Sequence, residues 1–121
     1  MIELARRKKT QGPPPRVVFE ALTQPHREPT REWLLLAPDE VEPRVIDAHE
    51  PDRVVWSTLW AAYPAAEVEF EIAPEERGSG TVLTWILSSE LPAPDDETVT
   101  RLRHRLNEII NRDLRLILFD Y

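Results

Sequence analysis

Apolar and acidic residues alternate strictly over Ala66-Glu67-Val68-Glu69-Phe70-Glu71-Ile72, and this period of two is the clearest pattern in the chain. Side chains on an extended strand point to opposite faces in turn, so one face of this strand is apolar and the other acidic. Turn residues follow, Pro74-Glu75-Glu76-Arg77-Gly78-Ser79-Gly80, and then a second β-rich run, Thr81-Val82-Leu83-Thr84-Trp85-Ile86-Leu87. Together they predict an antiparallel hairpin with one buried and one solvated face. Pairing Ile72 with Leu83 places Phe70 opposite Trp85 and Val68 opposite Leu87 on the apolar side. Glu69 and Glu71 then share the wet side with Ile86 and Thr84.

A second periodicity, of three and four, joins Val99, Leu102, Leu106, Ile109, Ile110 and Leu114 into one stripe and predicts a long helix over 96–118. Thr98, Arg101, Arg105, Asn111, Arg112 and Arg115 fill most of its other face. Pro92-Ala93-Pro94-Asp95 stops the sheet and offers Asp95 as N-cap, and Asp96 and Glu97 suit the positive end of the helix dipole. Upstream, residues 1–9 read as a first strand and Gly12-Pro13-Pro14-Pro15 as its end. A short helix over 16–22 follows, with Val18, Phe19 and Leu22 as its stripe, and a second over 30–36 carries Trp33. Strands are expected over 41–49, weakened by Pro43, and over 53–60, with a turn at Pro51-Asp52. A one-faced sheet and a one-striped helix must bury their apolar sides together. The expectation is a single α+β domain, 1–121: a curved antiparallel sheet, two short N-terminal helices and a long C-terminal helix packed across the sheet.

Composition narrows the function classes. A chain of 121 residues supports one core, and a net charge of −7 argues against unaided binding to nucleic acid or anionic membranes. The short basic run Arg6-Arg7-Lys8-Lys9 reads as a solvated strand end. Cysteine is absent, which removes disulfides, thiol catalysis and thiolate metal sites. No stretch is long enough to span a membrane and none resembles a signal-peptide core, so a cytoplasmic location is expected.

Three segments resemble the helix-grip (START-like, SRPBCC) superfamily, and in this order they cover nearly the whole chain. The first is Pro13-Pro14-Pro15-Arg16-Val17-Val18-Phe19-Glu20-Ala21-Leu22-Thr23-Gln24-Pro25 with Trp33. The second runs Val45-Ile46-Asp47-Ala48-His49-Glu50-Pro51-Asp52-Arg53-Val54-Val55-Trp56, and the third is Gly78-Ser79-Gly80-Thr81-Val82-Leu83-Thr84-Trp85. The resemblance implies a ligand cavity between sheet and C-terminal helix. It also shows a departure: a hairpin usual in the family between the Trp33 segment and the Val45 segment is missing. A smaller sheet and a shallower or open cavity follow from that loss.

The residues placed to touch an apolar ligand are Trp33, Trp56, Val68, Phe70, Leu83 and Trp85, with Leu102, Leu106 and Ile110 from the helix. The competing reading is that these side chains simply pack on one another as core. Asp47 and His49 share a strand face, which could orient an imidazole for base catalysis, but no nucleophile is marked beside them. A surface histidine at a turn is the plainer reading, and His26 and His104 are scattered. Glu67, Glu69 and Glu71 stand about 7 Å apart along one face, a spacing that suits solvation and not convergence on an ion. Gly78-Ser79-Gly80 joins two strands and is a turn, not a phosphate loop. Trp60, beside Ala61-Ala62-Tyr63-Pro64, is expected at a rim or a dimer contact.

The chain therefore reads as a small START-like domain that binds an apolar small molecule or lipid without catalysis, and it calls for no cofactor and no metal. A polyketide cyclase/dehydratase-like enzyme is the alternative that the resemblance allows, with Asp47, His49, Thr58 and Tyr63 as its available polar groups. A protein-interaction module of the chaperone- or ribosome-associated type, or a homodimer, is the third.

Overall fold

The computed structural model describes residues 1–24, 33–92 and 95–114. Five strands form one fully antiparallel sheet in the order β1-β5-β4-β3-β2. They are β1 (Ile2–Gln11), β2 (Val45–His49), β3 (Arg53–Trp56), β4 (Ala66–Pro74) and β5 (Thr81–Ser89). Two helices accompany them: α1 (Pro15–Thr23), and α2 (Asp96–Glu108), which runs on into a π-helical segment, Ile109–Leu114.

The hairpin forms in the register that alternation predicts, with Ile72 facing Leu83, Phe70 facing Trp85, Val68 facing Leu87, and Glu69 and Glu71 facing Ile86 and Thr84. Ala66, Val68, Phe70 and Ile72 are buried, while Glu67, Glu69 and Glu71 are half-buried or exposed. On that wet face Arg53 of β3 bonds Glu69 at 2.6 Å and also pairs with Asp47. At the β4–β5 turn Gly78 takes a φ of +113°, which favours glycine, and a Cβ on Gly80 would stand 2.6 Å from the Gln11 carbonyl, so glycine is needed there where β1 and β5 close up.

The aromatic core lies under α1. Trp33 stacks on Trp56 with ring centroids 5.9 Å apart, and Trp56 meets Phe70 edge to face at 4.7 Å. The two indoles also complete the helix: Trp33 Nε1 donates to the Ala21 carbonyl and Trp56 Nε1 to the Leu22 carbonyl, each at 2.9 Å. Carbonyls in a last helical turn have no partner within the helix, so these bonds satisfy groups that would otherwise be buried unpaired.

The helix-grip architecture holds, with four corrections. Residues 33–36 are not helical; Trp33 is held by its stacking and its bond to α1, so the short helix expected over 30–36 does not form across its described part. The strand expected over 41–49 starts at Val45, because Pro43 lacks a ladder donor and its neighbours bond elsewhere, Val41 N–H to the Leu59 carbonyl and Arg44 N–H to Ser57 Oγ. The strand expected over 53–60 ends at Trp56, and Trp60, expected at a rim or a dimer contact, is only 3% exposed within the chain. On α2, Thr98 points inward and Val99 is half-buried, and the helix turns π-helical after Glu108. Residues 115–118 of the expected helix lie outside the described residues.

No hairpin stands between Trp33 and β2, as the departure from the family pattern implies. The sheet is accordingly small. β2 is an edge strand, and all five of its residues are exposed.

Candidate functional site

A cavity of about 120 Å³ opens at the seam between the sheet and the first turns of α2. Its lining comes from every layer: Leu4 of β1, the turn 62–66 that leads into β4, Ser89 at the end of β5, Leu91 and Pro92 beyond it, and Thr98 and Leu102 of α2. The gap has a simple cause. Where Val68, Phe70 and Ile72 fill the rest of the β4 face, the turn supplies Ala62, Ala65 and Ala66, whose methyl groups cannot reach α2.

One hydroxyl fixes the alanine-rich wall. Thr58 Oγ1 donates to the Trp60 carbonyl at 3.1 Å and the Tyr63 carbonyl at 2.9 Å, and accepts from Trp60 N–H at 3.1 Å. Tyr63 N–H bonds the Trp60 carbonyl and Ala66 N–H the Tyr63 carbonyl, so the turn closes on itself before β4 begins. The opposite wall is set by the α2 cap, where Asp95 Oδ1 accepts from Thr98 N–H at 2.7 Å. Bonds from the Thr98 hydroxyl and backbone hold the Asp95 carboxyl below its ordinary range. Ser89 Oγ accepts from Leu91 N–H at 3.2 Å. Tyr63 Oη, at the exposed edge, accepts from Arg101 Nη2 at 3.1 Å.

Among the described residues the lining holds no carboxylate, imidazole or amine. Its polar side chains are the hydroxyls of Tyr63, Ser89 and Thr98. Such a surface can enclose an apolar group and offer it a hydrogen bond; an ionised group inside would be unpaired, which is strongly unfavourable.

On the far side of Leu102 and Arg101 lies a more polar hollow of about 180 Å³, bordered by Trp60, Glu40, His104 and Arg105. The Glu40 side chain is 2% exposed and is met by Arg105 Nε at 2.7 Å, Arg105 Nη2 at 2.9 Å and Ala37 N–H at 2.7 Å. Arg105 also donates to the Leu35 carbonyl at 2.9 Å. Burial pushes the Glu40 carboxyl up, but the Arg105 bonds, the Ala37 N–H and the Arg105 charge outweigh it and hold the group below its ordinary range. This pair ties the segment after Trp33 to α2, and Glu40 also bridges Trp60. Trp60 is buried for that reason.

Of the residues expected to touch a ligand, Leu102 lines the cavity. Trp33, Trp56, Val68, Phe70, Leu83, Trp85, Leu106 and Ile110 are all buried together in the adjoining core. The large side chains are where the interior is full. The sequence signal for the cavity was the small-residue run Ala61-Ala62-Tyr63-Pro64-Ala65-Ala66, together with Leu4 and Leu91, which no aromatic count would select. Asp47 and His49 share a face but not a bond: Asp47 pairs with Arg53, while exposed His49 has Nδ1 3.5 Å from Asp52. His104 stands exposed, 3.9 Å from Glu108, and His26 lies outside the described residues.

Compared by sequence, the chain matches no known family and no curated protein. Compared by structure, it matches several solved proteins. CalU16 from Micromonospora echinospora aligns with a TM-score of 0.70 at 15% identity, over 93% of this chain and 74% of CalU16. The Aha1 dimer from Colwellia psychrerythraea, a solution structure, aligns with a TM-score of 0.69 at 12% identity, over 98% of this chain and 96% of that one. A Rhodobacter sphaeroides protein aligns at 0.66 with 20% identity, over 99% and 96%. The likeness is one of fold, and that fold is the helix-grip.

Proposed function

We propose that this helix-grip domain holds an apolar small molecule between its sheet and its C-terminal helix, without catalysing a reaction on it. The observation that carries the reading is the apolar cavity at the seam, walled by Leu4, Ala66, Leu91 and Leu102 and braced by Thr58 and Asp95. The packed residues Val68, Phe70, Trp85 and Leu106 serve as the rigid bed beside it. A cyclase- or dehydratase-type reaction would need acid–base groups at the ligand, and the lining supplies only hydroxyls. One separate observation favours a protein contact as the second reading: β2 presents a fully exposed strand edge with Val45 and Ile46 uncovered, which suits a homodimer or a partner strand.

Native mass spectrometry of gently purified protein tests the ligand reading. A retained small molecule is expected, and its extraction should shift the methyl resonances of Leu102 and Ala66. A bare mass, with those resonances unmoved by extraction, would remove the reading and leave the contact through β2.

A further inference from the structure

We infer that the cavity takes a compact neutral group, of the size of one aromatic ring or a short branched alkyl, whose single oxygen acceptor is met by the Tyr63 hydroxyl. The inference rests on the ligand reading above and names the ligand's class. Three features of the cavity converge on it.

Volume comes first. An apolar cavity of about 150 Å³ is filled by one benzene molecule. At about 120 Å³ this one matches a ring or a branched chain of similar bulk better than a folded acyl chain or a poly-carbonyl chain. The second feature is charge. With no carboxylate, imidazole or amine among the described lining residues, a carboxylate or ammonium inside would lose its hydration and gain no charged partner. The group that enters is neutral.

Hydrogen-bond occupancy is the third. Thr98 is engaged by Asp95, and Ser89 Oγ accepts from Leu91 N–H and keeps its own proton as a second, neutral donor. Tyr63 Oη accepts from Arg101, and its own proton has no acceptor among the described residues. Tyr63 is a lining residue, and the Arg101 charge draws electron density from its oxygen and makes it a stronger donor than Ser89. The backbone of Tyr63 is fixed through the Thr58 clamp, so the donor is held in place before a ligand arrives. A carbonyl, ether or hydroxyl oxygen beside a small hydrocarbon group is the chemistry that meets it.

Methyl-detected NMR of the full chain, titrated with acetophenone, ethylbenzene and decanoate, decides the matter. Acetophenone and ethylbenzene are expected to shift the methyls of Leu4, Ala66, Leu91 and Leu102 saturably, and decanoate to leave them in place. Tyr63→Phe should weaken acetophenone about fivefold and leave ethylbenzene unchanged. Ala62→Leu, which fills the cavity from its exposed rim, should abolish both without altering the core resonances. Saturable binding of decanoate with no response to ethylbenzene would overturn the size class and leave the ligand reading standing. Equal weakening of the two aromatic probes by Tyr63→Phe would overturn the role of the hydroxyl. Silence from all three probes would overturn the inference, and the native mass would then show separately whether the ligand reading stands.

Discussion

Along one face of β4 the interior is finished in two ways. Val68 and Phe70 stand beside Trp56, and Leu22 of α1 and the stacked Trp33 close the same core. At the start of the same strand Ala66 faces α2 across the gap lined by Leu4 and Leu102. Both ends carry apolar surface, and the difference is reach. Under α1 the side chains are long enough to meet; at the α2 end they are methyl groups held back by a rigid turn. The place where this fold can receive something is therefore where its residues are small, not where they are most aromatic.

Three substitutions probe that contrast. Trp56→Ala should be the most severe, because it removes a fully buried indole, its stack on Trp33 and its bond to the Leu22 carbonyl. A loss of about 4 kcal/mol is expected in urea unfolding. A loss below about 1 kcal/mol would mean that the aromatic end is as loosely filled as the other.

Arg105→Ala comes next. It leaves Glu40 buried without its cation, at about 3 kcal/mol near neutral pH. The folded Glu40 pKa lies below its ordinary value, so the pair's contribution is complete above the unfolded glutamate value of about 4.3 and is lost as pH falls through the lower folded value. The gap in urea midpoint between Arg105→Ala and the parent should then narrow from pH 7 to acid. A gap that does not change with pH would show that Glu40 stays ionised or solvated without Arg105.

The smallest effect belongs to Thr58→Val, about 1–2 kcal/mol, because it deletes the hydroxyl that holds the 60–66 turn. Amide exchange should quicken at Tyr63 and Ala66 and stay unchanged in β3 and at Phe70. Uniform acceleration across the sheet would mean that the two ends are one cooperative unit and not separable regions.

Much of this was written in the sequence, and the reason differs by element. The hairpin register was legible because a strict period of two allows one alignment that buries Phe70 with Trp85, and a slip by one residue would turn every glutamate inward. The α2 start was legible from Asp95 after two prolines. Other outcomes were set by distant partners. Trp60 is buried because Glu40, twenty residues earlier in the chain, bridges it and is itself held by Arg105. Residues 33–36 are irregular because Trp33 is bonded to Ala21 and stacked on Trp56. The cavity was the least legible feature. It exists through atoms that Ala62, Ala65 and Ala66 lack, and the absence of a side chain leaves no periodic mark.

The pairing of β1 with β5 has a kinetic side. Ile2 lies opposite Ser89 and Gln11 opposite Thr81, so the outermost ladder joins segments separated by most of the chain. Closing so wide a loop must precede any gain from the ladder, which makes it the slow event in assembling the sheet. Leu4, carried by that strand, is a wall of the cavity. During folding the cavity is thus among the last parts to form, and in the native state it shares the fate of the strand that arrives last.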